Sequence, residues 1–235
     1  MKVLILNSGL GHRMGDETKN HPKCMTKLCG DETILSRQLL FLSLCGIKEV
    51  LITTGYYDDV LIKYCSTLKN NLNITFVKNP FYNKTNYIYS IYCAREYVNN
   101  DDILIMHGDL VFDKDVLKDI IFNKKSCMKI STTVELPKKD FKAVVDKTKI
   151  KAVGIDFFDS SYEAQALYYL KEKDWNIWLN KIIEYCENGK TNCYAEEALN
   201  EVLDKFDLEG YDCKDRLCTE IDTIDDLKRV KEILK

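Results

Sequence analysis

The chain has 235 residues, with 34 lysines and arginines against 37 aspartates and glutamates. No basic surplus is left to drive nonspecific nucleic-acid binding, so any anionic ligand needs a local site. A hydrophobic fraction of 46% beside 30% charged residues argues against disorder, and the length suits one substantial core, since domains commonly run from about 50 to about 250 residues.

Val3 to Leu6 is a strand-length apolar run that meets Asn7-Ser8-Gly9 at once, unlike a signal peptide, and no apolar stretch approaches a membrane span. A cytoplasmic protein without a membrane partner is expected. Its ten cysteines then read as buried thiols in a reducing compartment. No CxxC pair occurs, and the histidines are His12, His21 and His107, so zinc is not expected.

In chain order, strands are predicted at Lys2 to Leu6, Glu49 to Thr53, Ile74 to Lys78 and Ile103 to His107, with helices over Ile34 to Cys45, Val60 to Leu68 and Ile88 to Tyr97. Gly46 stops the first helix. This alternation predicts a Rossmann-like α/β fold, a mixed but mainly parallel sheet flanked by helices, with ligands beyond the carboxyl ends of the strands. The site should follow Leu6, Lys78 and His107. The second half is less regular: strands are read at Lys129 to Val134, Phe141 to Asp146 and Ile150 to Phe157, and helices at Asp174 to Cys186, Ala195 to Lys205 and Thr223 to Leu234. Residues 1–235 are read as one domain, with 1–134 as nucleotide-binding half and 135–235 as a small acceptor-binding lobe ending in a helix.

The most informative stretch runs from Leu6 through Asn7, Ser8, Gly9, Gly11, His12, Arg13 and Met14 to Gly15, followed by Thr18, Pro22 and Lys23. Glycines after a first strand let backbone amides approach an anion, and Arg13 and Lys23 add the charge a triphosphate requires. Glycines can also serve only as turn formers. The P-loop pattern GxxxxGK is absent, and Met14 stands where the dinucleotide fingerprint needs glycine.

The pattern GxGxRM, Thr18, Pro22-Lys23-x-Met25 and Leu28 resembles the signature of the sugar-phosphate nucleotidyltransferase superfamily, closest to bacterial choline-phosphate and aminoalkylphosphonate cytidylyltransferases. Asn79-Pro80-Phe81-Tyr82 with Thr85-Asn86-x-x-x-Ser90, His107-Gly108-Asp109 and Glu220-Ile221-Asp222-Thr223 extend the resemblance along the chain. Asn7-Ser8 departs from the usual alanine pair. The resemblance implies a magnesium-dependent cytidylyltransferase that joins CTP to phosphocholine or a related aminoalkyl phosphate or phosphonate and releases pyrophosphate. It implies Asp109 and Asp222 as metal ligands, Lys23 on the α-phosphate, Arg13 on the β- and γ-phosphates, and Thr85, Asn86 and Ser90 near the pyrimidine. Asp222 also reads as a helix-capping acid, Asp109 as a strand-ending turn residue, and Thr85-Asn86 as a helix cap.

For the acceptor, Tyr168, Tyr169 and Tyr194 with Glu163 and Glu196 suggest a cationic head group, held by aromatic faces or by carboxylates. Aromatics at such spacing also serve as core. The alternatives are a sugar-1-phosphate nucleotidyltransferase and, from another class, an inactive nucleotide-sensing domain. A homodimer is left open.

Overall fold

A computed structural model describes residues 1–9 and 11–235. Its first strand, β1 (Lys2–Leu6), is buried from Val3 onward, as an apolar run inside a parallel sheet must be. β2 (Glu49–Thr54) and β3 (Asn73–Lys78) continue the sheet on one side of β1, and β4 (Ile103–His107) lies on the other, all parallel. Parallel neighbours need crossovers, here α1 (Ile34–Leu44), α2 (Asp58–Thr67) and α3 (Tyr87–Val98). Thr33 and Ser36 exchange side-chain and backbone hydrogen bonds to open α1. Gly46 closes it at φ +80°, a left-handed conformation that only glycine adopts at little cost.

Beyond β4 come β5 (Leu110–Phe112), α4 (Lys114–Phe122), β6 (Cys127–Ser131), β7 (Lys142–Asp146), β8 (Lys149–Gly154) and β9 (Ser161–Leu170). Then follow α5 (Glu172–Glu187), α6 (Ala195–Asn200), β10 (Glu209–Asp212), β11 (Cys218–Glu220) and α7 (Ile224–Ile233). Among the described residues the main sheet has nine strands in the order β3-β2-β1-β4-β9-β6-β10-β8-β7, and β5 pairs with β11 apart from it.

Two expectations for the second half are corrected. The strand expected to reach Val134 stops at Ser131, whose hydroxyl accepts from the N–H groups of Thr133 and Val134 and turns the chain. The helix expected to reach Lys205 stops at Asn200, whose side chain instead bonds the N–H and C=O of Val153. The mainly parallel sheet expected from the first half ends at β9, which runs antiparallel to both β4 and β6. β9 is covered on both faces: Ala164, Ala166, Tyr168 and Leu170 join one apolar cluster, Leu167 and Tyr169 the other. Among the described residues no helix is long and apolar enough to cross a membrane.

Candidate active site

The carboxyl ends of β1 and β4 lie side by side, with Leu6 in register with His107 and the Gly108 N–H donating to the Leu6 C=O at 2.9 Å. The chain runs from β1 outward to β3 and resumes at β4 on the other side of β1, which makes this pair the switch point where a crevice opens. A cleft of about 640 Å³ lies there.

After β1 the backbone passes Asn7 to Gly9, and Gly11 takes φ +66°. A Cβ on Gly11 would press on Lys23 Cβ at 3.3 Å, so glycine lets the loop lie against the lysine stem. A short 3-10 helix, His12–Thr18, follows, held by the Thr18 hydroxyl donating to the Gly11 C=O at 3.0 Å. Pro22, which cannot donate an N–H, precedes a second one, Lys23–Met25. Across the cleft β5 pairs with β11, and the Ile221 N–H donates to the Asp109 C=O. That pairing brings together Asp109 and Asp222, which are far apart in sequence. Gln38 of α1 donates to the carbonyls of His107 and Leu110 and fixes the turn that carries Asp109.

The centre is a compact set of four charges. Lys23 Nζ lies 2.5 Å from Asp109 Oδ2 and 2.6 Å from Asp222 Oδ1, and Arg13 Nη2 lies 2.9 Å from the same Asp222 oxygen. Burial works against the Lys23 charge, but Asp109 and Asp222 overcome it and hold the pKa well above the ordinary lysine value. Burial likewise opposes ionised Asp109, yet the charges of Lys23 and His107 hold it below the usual carboxylate range. His107 Nδ1 sits 2.7 Å from Glu220 Oε1. Burial disfavours its charged form, but Glu220, with smaller help from Asp109 and Glu196, pushes its pKa up to about 9.

His107, Asp109 and Glu220 present ligand atoms within 4.8 Å of one another. A hard divalent cation prefers carboxylate oxygens to an imidazole nitrogen, so the carboxylates are the better ligands. Asp109 Oδ1 is buried with no hydrogen-bond partner among the described residues. Together with Asp222 it offers the oxygen donors that a hard divalent cation takes.

Of the residues singled out from sequence, Leu6, Asn7, Ser8, Gly9, Gly11, His12, Arg13, Lys23, Thr85, Asn86, Ser90, Asp109, Tyr194 and Asp222 line the cleft. Asn86 is also the N-cap of α3. Met14 is corrected: it is wholly buried in a core cluster with Leu28 and Ile34. Four acceptor residues are corrected as well. Tyr168 packs on Trp178 at 5.3 Å and donates to Glu196 at 2.7 Å, and Tyr169 points to the opposite face of β9 and donates to Asp102 at 2.8 Å. Glu163 pairs with Lys129 in the interior and accepts from Gln165. Glu196 is a buried support that accepts from the hydroxyls of Tyr87 and Tyr168 and does not line the cleft.

The cleft adds Tyr87, one of the many aromatic residues the sequence offered for the acceptor, and others that sequence reasoning passed over. Tyr87 stacks edge-on to His107 at 4.7 Å and lies 6.0 Å from Tyr194, which meets Phe141 at 5.3 Å. Asp140 and Asn192 stand beside this aromatic corner in the lining. His107 and Glu220 could have been found as the other polar members of the motifs that hold Asp109 and Asp222. Asp140 and Phe141 carried no such signal.

The chain is 25% identical to the CTP:phosphoglutamine cytidylyltransferase of Campylobacter jejuni, over 97% of its own length and 98% of the relative's. It is 22% identical to the choline-phosphate cytidylyltransferase of Streptococcus pneumoniae, over 100% and 99%. A solved structure of the CTP:phosphocholine cytidylyltransferase from Streptococcus pneumoniae shares the fold, with a TM-score of 0.80 at 19% identity, covering 100% of this chain and 99% of that one. The family model for the MobA-like NTP transferase domain matches residues 3–129. That span holds β1 to β4, the glycine loop, Lys23 and Asp109, and through it the chain belongs to the MobA-like NTP transferase domain family of nucleotidyltransferases.

Proposed function

We propose that the protein is a magnesium-dependent cytidylyltransferase of the cytoplasm that joins CTP to phosphocholine or a related aminoalkyl phosphate or phosphonate and releases pyrophosphate. The observation that carries the reading is the charged centre at the switch point, where Lys23 and Arg13 meet Asp109 and Asp222. A triphosphate needs the two cations and a metal needs the two carboxylates. The cytidylyltransferase relatives support the choice of nucleotide and of acceptor class.

On this reading Arg13 and the glycine loop bind the β- and γ-phosphates, and Lys23 bridges the α-phosphate and the incoming oxygen. An oxygen of the acceptor's phosphoryl or phosphonyl group attacks the α-phosphorus, the bond to the bridging oxygen breaks in line, and pyrophosphate leaves with the electron pair. No protein nucleophile is required. Asp109 and Asp222 would hold magnesium, which would supply neutralisation of phosphate charge. Lys23 and Arg13 must let go of their carboxylates to receive phosphate oxygens, so the free centre is a holding arrangement of the same charges.

Residues 1–134 provide most of the nucleotide site, and residues 135–235 close the acceptor side with Asp140, Phe141 and Tyr194. Tyr87, Phe141 and Tyr194 give a cationic head group aromatic faces, and Asp140 gives it a counter-charge. The test is pyrophosphate release from CTP and UTP with phosphocholine, phosphoethanolamine, 2-aminoethylphosphonate and glucose 1-phosphate. The zwitterionic acceptors should exceed glucose 1-phosphate by about tenfold or more in kcat/KM with CTP, equivalent to roughly 1.4 kcal/mol. A preference for glucose 1-phosphate with UTP overturns the reading. Absence of turnover with tight nucleotide binding would point to a sensing domain instead.

A further inference from the structure

Beside the glycine loop, a row of side chains hands its hydrogen bonds in one direction. The Phe81 N–H, which can only donate, meets Asn79 Oδ1 at 2.8 Å and so fixes the Asn79 amide. Its Nδ2 is therefore the donor end, and it reaches Thr85 Oγ1 at 3.1 Å and Ser90 Oγ at 3.0 Å. Thr85 returns its proton to the Phe81 C=O at 2.9 Å. Ser90, having accepted from Asn79, donates to Ser8 Oγ at 3.1 Å. Ser8 is the last member of the row. It accepts from Ser90 and keeps its own proton, with no acceptor for it among the described residues, in the wall of the cleft.

The row is also hard to reverse. Asn79 and Ser90 are each 1% exposed, and turning the Ser8 proton toward Ser90 would strand the Ser90 proton among buried groups. The Ser8 backbone is confined too: its carbonyl oxygen lies 2.4 Å from where a Cβ on Gly55 would stand, so the end of β2 closes over it.

We propose that Ser8 is a specificity-determining residue that presents a fixed hydroxyl donor to N3 of the pyrimidine, admitting cytosine and rejecting uracil. This rests on the cytidylyl-transfer reading. The two bases share O2, so a donor there cannot tell them apart, and a donor at position 4 would favour uracil. Only at N3 does a donor favour cytosine, whose N3 is a bare acceptor, whereas N3 of uracil carries a hydrogen. A freely rotating hydroxyl would offer uracil a lone pair instead. The one-way row from Asn79 removes that escape, and it gives the departure from the usual alanine pair a purpose.

The experiment compares kcat/KM for CTP and for UTP, at a fixed saturating acceptor, in the wild type, Ser8→Ala, Ser8→Thr and Ser90→Ala. Ser8→Ala should lower the CTP-to-UTP ratio by roughly 10- to 100-fold, the usual consequence of deleting a hydrogen bond that discriminates between ligands. Ser8→Thr keeps the hydroxyl and should keep the ratio. Ser90→Ala frees the Ser8 hydroxyl to rotate, so the ratio should fall through faster use of UTP. Damage to the fold would lower both nucleotides together and leave the ratio in place, and an unchanged ratio in Ser8→Ala or in Ser90→Ala overturns the proposal. A wild type that uses UTP as well as CTP is a different failure, that of the cytidylyl reading itself.

Discussion

Replacing Lys23 by methionine keeps the side-chain stem and deletes its charge. The ammonium lies 2.5 Å and 2.6 Å from two carboxylates, and the three side chains are 14%, 19% and 15% exposed, so solvent screens them little. Removing one partner of a buried ion pair costs about 3–5 kcal/mol, because the other charge is left uncompensated. Asp222 keeps Arg13 at 2.9 Å, so only Asp109 is stranded and the lower end, about 3 kcal/mol, is expected. For a chain of this size that is a fall in melting temperature of roughly 6–12 °C. The sign with pH follows from Asp109, whose folded pKa is depressed by Lys23 against the opposing effect of burial. Its stabilisation is present above the unfolded carboxylate value and lost as pH falls through the folded one. The gap between wild type and variant should therefore be widest near neutral pH and close as pH falls below about 4. Magnesium chloride should raise the melting temperature of the variant more than that of the wild type, because no ammonium competes for the carboxylates. Thermal unfolding with and without magnesium, at neutral and acid pH, tests this. Equal melting temperatures at neutral pH and equal magnesium shifts would refute the pairing on which the charged centre rests.

The same lysine should matter to turnover, and Lys23→Ala should lower kcat by about 10²- to 10³-fold with the chain still folded, as loss of a charge-stabilising donor does; near-normal turnover would exclude its contact with phosphate. Asp109→Asn and Asp222→Asn should each raise the magnesium concentration needed for half-maximal rate, since an amide is a poorer ligand for a hard cation. An unchanged magnesium titration removes that residue from the metal site. Lys129→Met leaves Glu163 buried without its cation and should cost about 3–5 kcal/mol in denaturant unfolding. The acceptor KM should stay the same, and a raised KM would return Glu163 to the acceptor site.

The strands around the switch point were legible because their apolar runs are continuous and the helices between them repeat at helical spacing. β9 was not. Its sequence, SYEAQALYYL, mixes polar and apolar residues without a regular period, because Glu163 and Gln165 are buried with Lys129 while both faces of the strand are covered. Adjacent residues in a strand point to opposite faces, so recognising the strand would have shown that Tyr168 and Tyr169 cannot line one pocket. The glycine loop, Arg13 and Lys23 were legible from local sequence alone. That Asp222 meets Asp109 was implied only by resemblance, since the pairing that joins them uses β5 and β11, each three residues long and without a period to read.

β9 pairs with β6 on one side and, on the other, with β4 through Leu167 to Leu170 and with β7 through Ser161 to Glu163. The four parallel strands thus remain an open sheet until a segment from much later in the chain arrives to close them. In a fragment that stops where the family match stops, at residue 129, Ile103 to Met106 would lack the partner that Leu167 to Leu170 provide. An apolar strand with unpaired amides and carbonyls along one edge recruits other chains, and contacts this distant in sequence form late. The family model and foldability therefore divide the molecule at different places: a graft or truncation cut at residue 129 would carry the glycine loop and Lys23 but lose the clasp that keeps their sheet from sticking to its neighbours.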